Sequence, residues 1–271
     1  MKKLIYIVVI GLYMTSCEDV IDVDLKTAEP RLVIDASLNW FNETLGKKQL
    51  IQLTLTAPYF NSNIPPASGA TVTVTDLNNN IFNFIEEENT GIYINNTFIP
   101  VINGTYNLTI SYNNEIYTAT ERLIPVVPID FVEQKDNGGF SGEETEIKAY
   151  YTDPENIKNY YLFEFSIFDS NSLNLEVYDD EFTDGNQIFG FYSNEDLSAG
   201  DQLIIRNSGI SKRFFEYLNI LLQQSDTDPG TPFETQPATV RGNCINQTNP
   251  ENYPLGYFKV SEVSVFTYTI K

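Results

Sequence analysis

Apolar residues recur at every second position through most of this chain, and that period limits the fold more than any other feature. In GTYNLTISY, Tyr106, Leu108, Ile110 and Tyr112 alternate with Asn107, Thr109 and Ser111. Successive side chains of a strand point to opposite faces, so this spacing buries one face and leaves the other to water, as in an antiparallel sheet. RLVIDASL, QLIQLTLTA, ATVTVTD, IFNFIEE and NEIYTATERL read the same way. Turn chemistry separates them. Asn113-Asn114 tolerates the positive φ of a two-residue hairpin, and Leu77 to Asn80 makes a second turn between TVTVTD and IFNFIEE. Short strands joined in this way predict a β-sandwich over 29–127, immunoglobulin-like or transthyretin-like.

Pro125 and Pro128 in LIPVVPID deny ladder donors and favour an extended chain, which places a domain junction there. Beyond it, ETEIKAYYTDP, NYYLFEFSIF, LNLEVYDD, QIFGFYS and DQLIIRN are again strand-like and richer in aromatics. A second β-rich domain is therefore expected over 128–271. One segment in it has a different period. Phe214, Leu218 and Leu221 fall at helical spacing with Phe215 and Leu222 beside them, predicting a helix near 211–224. Ser208 or Ser211 would cap it, Pro229-Gly230 would stop it, and its apolar stripe would cover the sheet.

The N-terminus carries a different kind of information. Lys2 and Lys3 precede an apolar run from Leu4 to Tyr13, and Met14-Thr15-Ser16 leads into Cys17. This is the form of a bacterial export signal over 1–16, too short to span a bilayer, which takes roughly 20 apolar residues. The end of the segment resembles a lipobox, in which the cysteine sulfur takes a diacylglyceryl group and becomes the first mature residue. Acyl chains of the palmitate type contribute about 0.8 kcal/mol per buried CH₂, so two or three hold a protein firmly. Glu18, Asp19, Asp22 and Asp24 follow at once within a tether over 17–28. The acidic run beginning at Glu18 and Asp19 resembles the export address of surface lipoproteins of the Bacteroidetes; the alternative is a solvated tether kept extended by its charges.

With 37 acidic and 16 basic residues the chain has a formal charge of −21 and lacks the basic footprint that nucleic-acid binding needs. The same charge keeps the body away from anionic head groups, so membrane contact would run through the lipid anchor. The sequence contains no histidine, which removes the commonest general base and zinc ligand. Once Cys17 is acylated, Cys244 has no partner for an intramolecular disulfide and reads as a small buried apolar residue.

The C-terminal run TPFETQPATVRGNCINQTNPENYPLGYFKVSEVS resembles the end of a family of Bacteroidetes lipoproteins known as a domain of unknown function. Its elements here are a Pro-then-strand-then-Gly-Asn stretch, Pro237 to Asn243, a Leu-Gly-Tyr-Phe stretch, Leu255 to Phe258, and a closing strand. The start, CEDVIDVDLKTAEPRLVIDASL, is similar as well. The resemblance implies a lipoprotein encoded beside a TonB-dependent outer-membrane receptor. It brings no catalytic residues and no ligand.

The residues themselves offer little chemistry. Asp179, Asp180 and Asp184 in DDEFTDG are weak calcium candidates, because their spacing fails the EF-hand pattern. No metal or other cofactor is expected. A paired-carboxylate glycosidase needs two acids at a set separation. Tyr150-Tyr151 and Tyr160-Tyr161 suit core packing better than sugar stacking, with one ring of each pair turned inward. The expectation is a non-enzyme: a lipid-anchored outer-membrane protein at the cell surface, serving as accessory or ligand-capture partner of a TonB-dependent transporter. The alternative is a stand-alone polysaccharide-binding module or adhesin.

Overall fold

The structure, a computed structural model, describes residues 29–58, 61, 63–139, 141–170, 172–225 and 240–271. The export signal, Cys17 with its acidic neighbours and Pro229-Gly230 lie outside the described residues.

The protein is mainly β; among the described residues the strands form two sheets and a single helix follows late in the chain. The first body is a sandwich. On one side lie β1 (Leu32–Phe41), β2 (Gln49–Leu55) and β5 (Ile92–Asn95). On the other lie β3 (Thr71–Asp76), β6 (Thr105–Tyr112) and β7 (Glu115–Arg122). The strand β4 (Ile81–Glu86) closes one edge by pairing first with β3 and then, through Ile85 and Glu86, with β5. The alternation seen in the sequence is the burial pattern: Tyr106, Leu108 and Ile110 of β6 are buried, as are Val72 and Val74 of β3. Both expected turns form. Asn113 and Asn114 each take positive φ between β6 and β7, and Asp76 Oδ1 accepts from the backbone N–H groups of Asn78 and Asn80 between β3 and β4.

In the second body, β10 (Tyr160–Ile167) pairs with β11 (Leu173–Asp179) and β13 (Gln202–Gly209). They face a three-stranded sheet of β8 (Phe131–Gly138), β9 (Glu144–Thr152) and β12 (Gln187–Asn194). Each tyrosine pair divides as expected. Tyr151 and Tyr161 meet in the core with centroids 4.8 Å apart, whereas Tyr150 stacks on Phe131 at 4.6 Å. Tyr160 differs from a surface ring, because Phe215 of the helix covers it at 5.1 Å.

The helix, α1 (Lys212–Ser225), starts within a residue of its expected position. Ser211 is its cap, accepting from Phe214 N at 3.3 Å. Phe214 and Leu218 pack with Leu162 and Ile210 on the outer face of the β10–β13 sheet. Among the described residues, no helix is long and apolar enough to cross a membrane.

The chain does not divide cleanly at its prolines. The closing strand β15 (Leu255–Thr269) pairs in parallel with β1 over Leu255–Val263 and then antiparallel with β13 over Val263–Thr269. Phe258 and Val260 lie in the first core, whereas Phe266, Tyr268 and Ile270 pack in the second. The short β14 (Ile245–Asn246) also returns to the first body, on β7. The expected boundary at 127/128 thus assigns to the second domain a segment whose first part completes the first. Alternation shows which face of a strand is buried and not which strand lies beside it.

Candidate functional site

The two elements that carry the family resemblance meet at the top of β15. A Cβ at Gly242 would lie 1.7 Å from Gly256 O, so the backbones touch. Gly256 has φ +86°, and a Cβ there would lie 2.1 Å from Ile34 O of β1. Both positions need glycine for close approach. Asn243, 3% exposed, donates from Nδ2 to Phe258 O at 2.8 Å and accepts at Oδ1 from Phe258 N at 2.8 Å. Its amide therefore stands in for a neighbouring strand. That is why residues 240–243 need not form the strand expected there, which begins only at Ile245.

Glu121 ties this junction to the helix. Its Oε2 accepts from Tyr257 Oη at 3.2 Å, Ser211 Oγ at 3.2 Å and Asn243 Nδ2 at 3.4 Å. Burial holds its pKa above the ordinary glutamate value, only partly offset by the bond from Arg122 N, those from Ser211 and Tyr257, and the charge of Arg213. A carboxyl whose folded pKa is raised binds its proton more tightly folded than unfolded, so its contribution to stability falls as pH rises through the window above about 4.5. Glu121→Gln is expected to flatten that decline, read as the difference in urea midpoint between wild type and variant from pH 4 to 8. Parallel pH profiles for the two proteins would contradict it.

Two further groups lie nearby, Lys259 buried and Cys244 partly buried against the first core rather than fully buried as expected. Lys259, 5% exposed, has its amine pKa lowered by burial against the pull of Glu164 and Asp35, and sits 5.7 Å from the Phe214 ring. The Cys244 thiol is pushed up to about 12 by burial, which makes it inert at neutral pH.

A second cluster lies at the start of β10. One carboxylate oxygen each from Asp153, Asp180 and Asp184 falls within 4.8 Å of the others. Asp153 Oδ1 accepts from Tyr161 Oη at 2.6 Å, and Oδ2 from Gly185 N at 3.3 Å. Asp180 Oδ2 accepts from Asn159 N at 2.6 Å while Oδ1 meets Lys158 Nζ at 2.5 Å; Asp184 Oδ1 accepts from Asn156 N at 2.8 Å. The carboxylates thereby staple the loop after β9 to the loop after β11.

Of the three calcium candidates, Asp180 and Asp184 come together. Asp179 does not, because its Oδ1 turns to Glu181 N, and Asp153 from the preceding loop takes its place. The sequence signal for Asp153 is slight: an Asp-Pro in a loop. Glu121, Arg213 and Arg241 were also missed, since nothing in their own neighbourhoods marks them.

A family model described as a domain of unknown function, DUF4249, matches residues 18–267. The chain belongs to that family. Both glycine contacts and the Asn243 bracket lie within the matched part of this DUF4249 chain. A comparison with curated proteins found no match. Solved structures give only distant likenesses. A cytokine receptor complex is 8% identical over 65% of this chain and 82% of its own, with a TM-score of 0.25. A DUF4785 family protein from Legionella pneumophila is 9% identical, covers 66% of this chain and 52% of its own, and scores 0.26. A two-domain fibronectin type III segment of chicken tenascin is 10% identical over 66% of this chain and 90% of its own, with a score of 0.21.

Proposed function

We propose that this DUF4249 protein is a lipid-anchored outer-membrane protein of the cell surface, acting by binding as a non-catalytic accessory of a TonB-dependent transporter. The observation that carries the proposal is the lipobox-like Met14-Thr15-Ser16-Cys17 followed directly by Glu18 and Asp19. Family membership supports it, since the resemblance implies a gene beside such a receptor. The surface supports binding as well. Leu50, Ile94 and Ile85 stand in register across β2, β5 and β4, and Leu50, Ile85 and Ile81 are exposed.

Metabolic labelling with palmitate tests the anchor. Wild type should incorporate label and pellet with membranes, and Cys17→Ser should do neither; an unlabelled, freely soluble wild type would sink the proposal. Purification from native outer membranes tests the partner, which should be an outer-membrane β-barrel receptor retained at stoichiometric yield.

A further inference from the structure

A pocket of about 230 Å³ lies between α1 and the chain where it returns at Val240. Arg213, Tyr217 and Ile220 line it from the helix, Val240 and Arg241 from the returning segment, and Tyr257 from β15. Its aromatic wall is braced: Tyr217 and Tyr257 have centroids 5.1 Å apart, and Phe214 backs Tyr257 at 4.6 Å.

The two arginines are set apart from the rest of this acidic chain. The ion pairs among the described residues all use lysines, namely Lys148, Lys158 and Lys212. Neither Arg213 nor Arg241 has a carboxylate within 4.0 Å among those residues. Arg213 Nη2 donates to Gly242 O at 3.2 Å. The Arg241 guanidinium lies 3.8 Å from the Tyr253 ring centroid, and Arg31 lies 3.9 Å from the same ring. Tyr253 thus carries both guanidiniums against its ring. Arg31 is itself anchored, donating from Nη1 to Glu251 O and Tyr253 O. The ring holds Arg241 in place, and its N–H groups have no acceptor among the described residues. Glu216 also reaches the pocket but is held by Lys212 at 3.2 Å.

We propose that this pocket binds a small organic monocarboxylate carried on a compact apolar ring. A guanidinium presents paired N–H donors matched to a carboxylate fork. Tyr217, Tyr257, Ile220 and Val240 offer apolar walls to a ring, and the volume falls below the roughly 300–1,000 Å³ of pockets for larger ligands. The net charge of −21 repels polyanions far more than it repels a single charge, which favours a carboxylate over a phosphate.

The test is titration calorimetry of the full-length chain in detergent with benzoate, alongside benzyl alcohol and D-glucuronate. Benzoate should bind saturably; benzyl alcohol lacks the charge and glucuronate the apolar body, so each should bind about tenfold more weakly or worse. Arg213→Ala and Arg241→Ala should each weaken benzoate by about tenfold or more. Both side chains are exposed, so both variants should fold; Arg213→Ala gives up the Gly242 O bond and should melt slightly lower, whereas Arg241→Ala should keep the wild-type melting midpoint. Absence of saturable benzoate binding, equal binding by either comparator, or full binding by both variants would overturn the proposal. Cys17→Ser should leave benzoate binding unchanged, so failure of the pocket and failure of the envelope placement are read separately.

Discussion

Gly256→Ala is expected to destabilise the protein by about 4 kcal/mol or more. The left-handed conformation at φ +86° contributes about 1–2 kcal/mol for any residue with a Cβ. The greater part comes from position. The new carbon would lie 2.1 Å from Ile34 O, a backbone atom of a central strand that cannot rotate away. Relief requires β1 and β15 to separate, which strains their parallel ladder and the two Asn243–Phe258 bonds beside it. Gly69→Ala is the control. It has φ +82° and nothing within 4 Å of the added carbon, so it should cost only the conformational part, about 1–2 kcal/mol. Urea denaturation of both variants checks this; equal losses would show that the contact with Ile34 carries no weight.

Phe163→Ala should cost about 3–5 kcal/mol, from lost burial and the cavity left behind. The ring is fully buried in the second core, with centroids 5.4 Å from Tyr151, 5.9 Å from Phe165 and 5.7 Å from Tyr178. It also fills the space above Gly190, where a Cβ would lie 2.5 Å from Phe163 Cδ1. Because β15 is shared by both cores, this loss should lower the same cooperative transition that Gly256→Ala lowers in the first core. Fluorescence and circular dichroism melts should coincide in both variants. A transition that splits, with the first body melting at its wild-type midpoint in Phe163→Ala, would show that the bodies unfold independently.

The candidate sites are built from partners far apart in sequence. Glu121 Oε2 is met by Ser211, Asn243 and Tyr257. Asp153 joins Asp180 and Asp184 across a loop–loop gap. In sequence these side chains have neighbours of the most ordinary polar or aromatic kind, and nothing local sets them apart. The acids Asp179 and Asp180 of DDEFTDG are adjacent in sequence, yet Asp179 accepts from Glu181 N within its own turn and of the two only Asp180 joins the cluster.

The amino-acid sequence by itself determined what depends on short-range physics. It set which face of β1, β2, β3, β4 and β6 is buried, since their apolar residues keep a period of two. It set the Asn113-Asn114 and Asp76–Asn80 turns, because few residues accept those φ values or bond their own backbone so readily, and the position and cap of α1, through the spacing of Phe214 and Leu218, although Leu221, expected in the same stripe, is exposed. The tertiary structure alone decided that β15 runs through both bodies, that it lies parallel to β1, and that Arg213, Arg241, Tyr217 and Tyr257 face one pocket. Strand partners are chosen by the free energy of closing a whole core, which sums contacts over the entire chain.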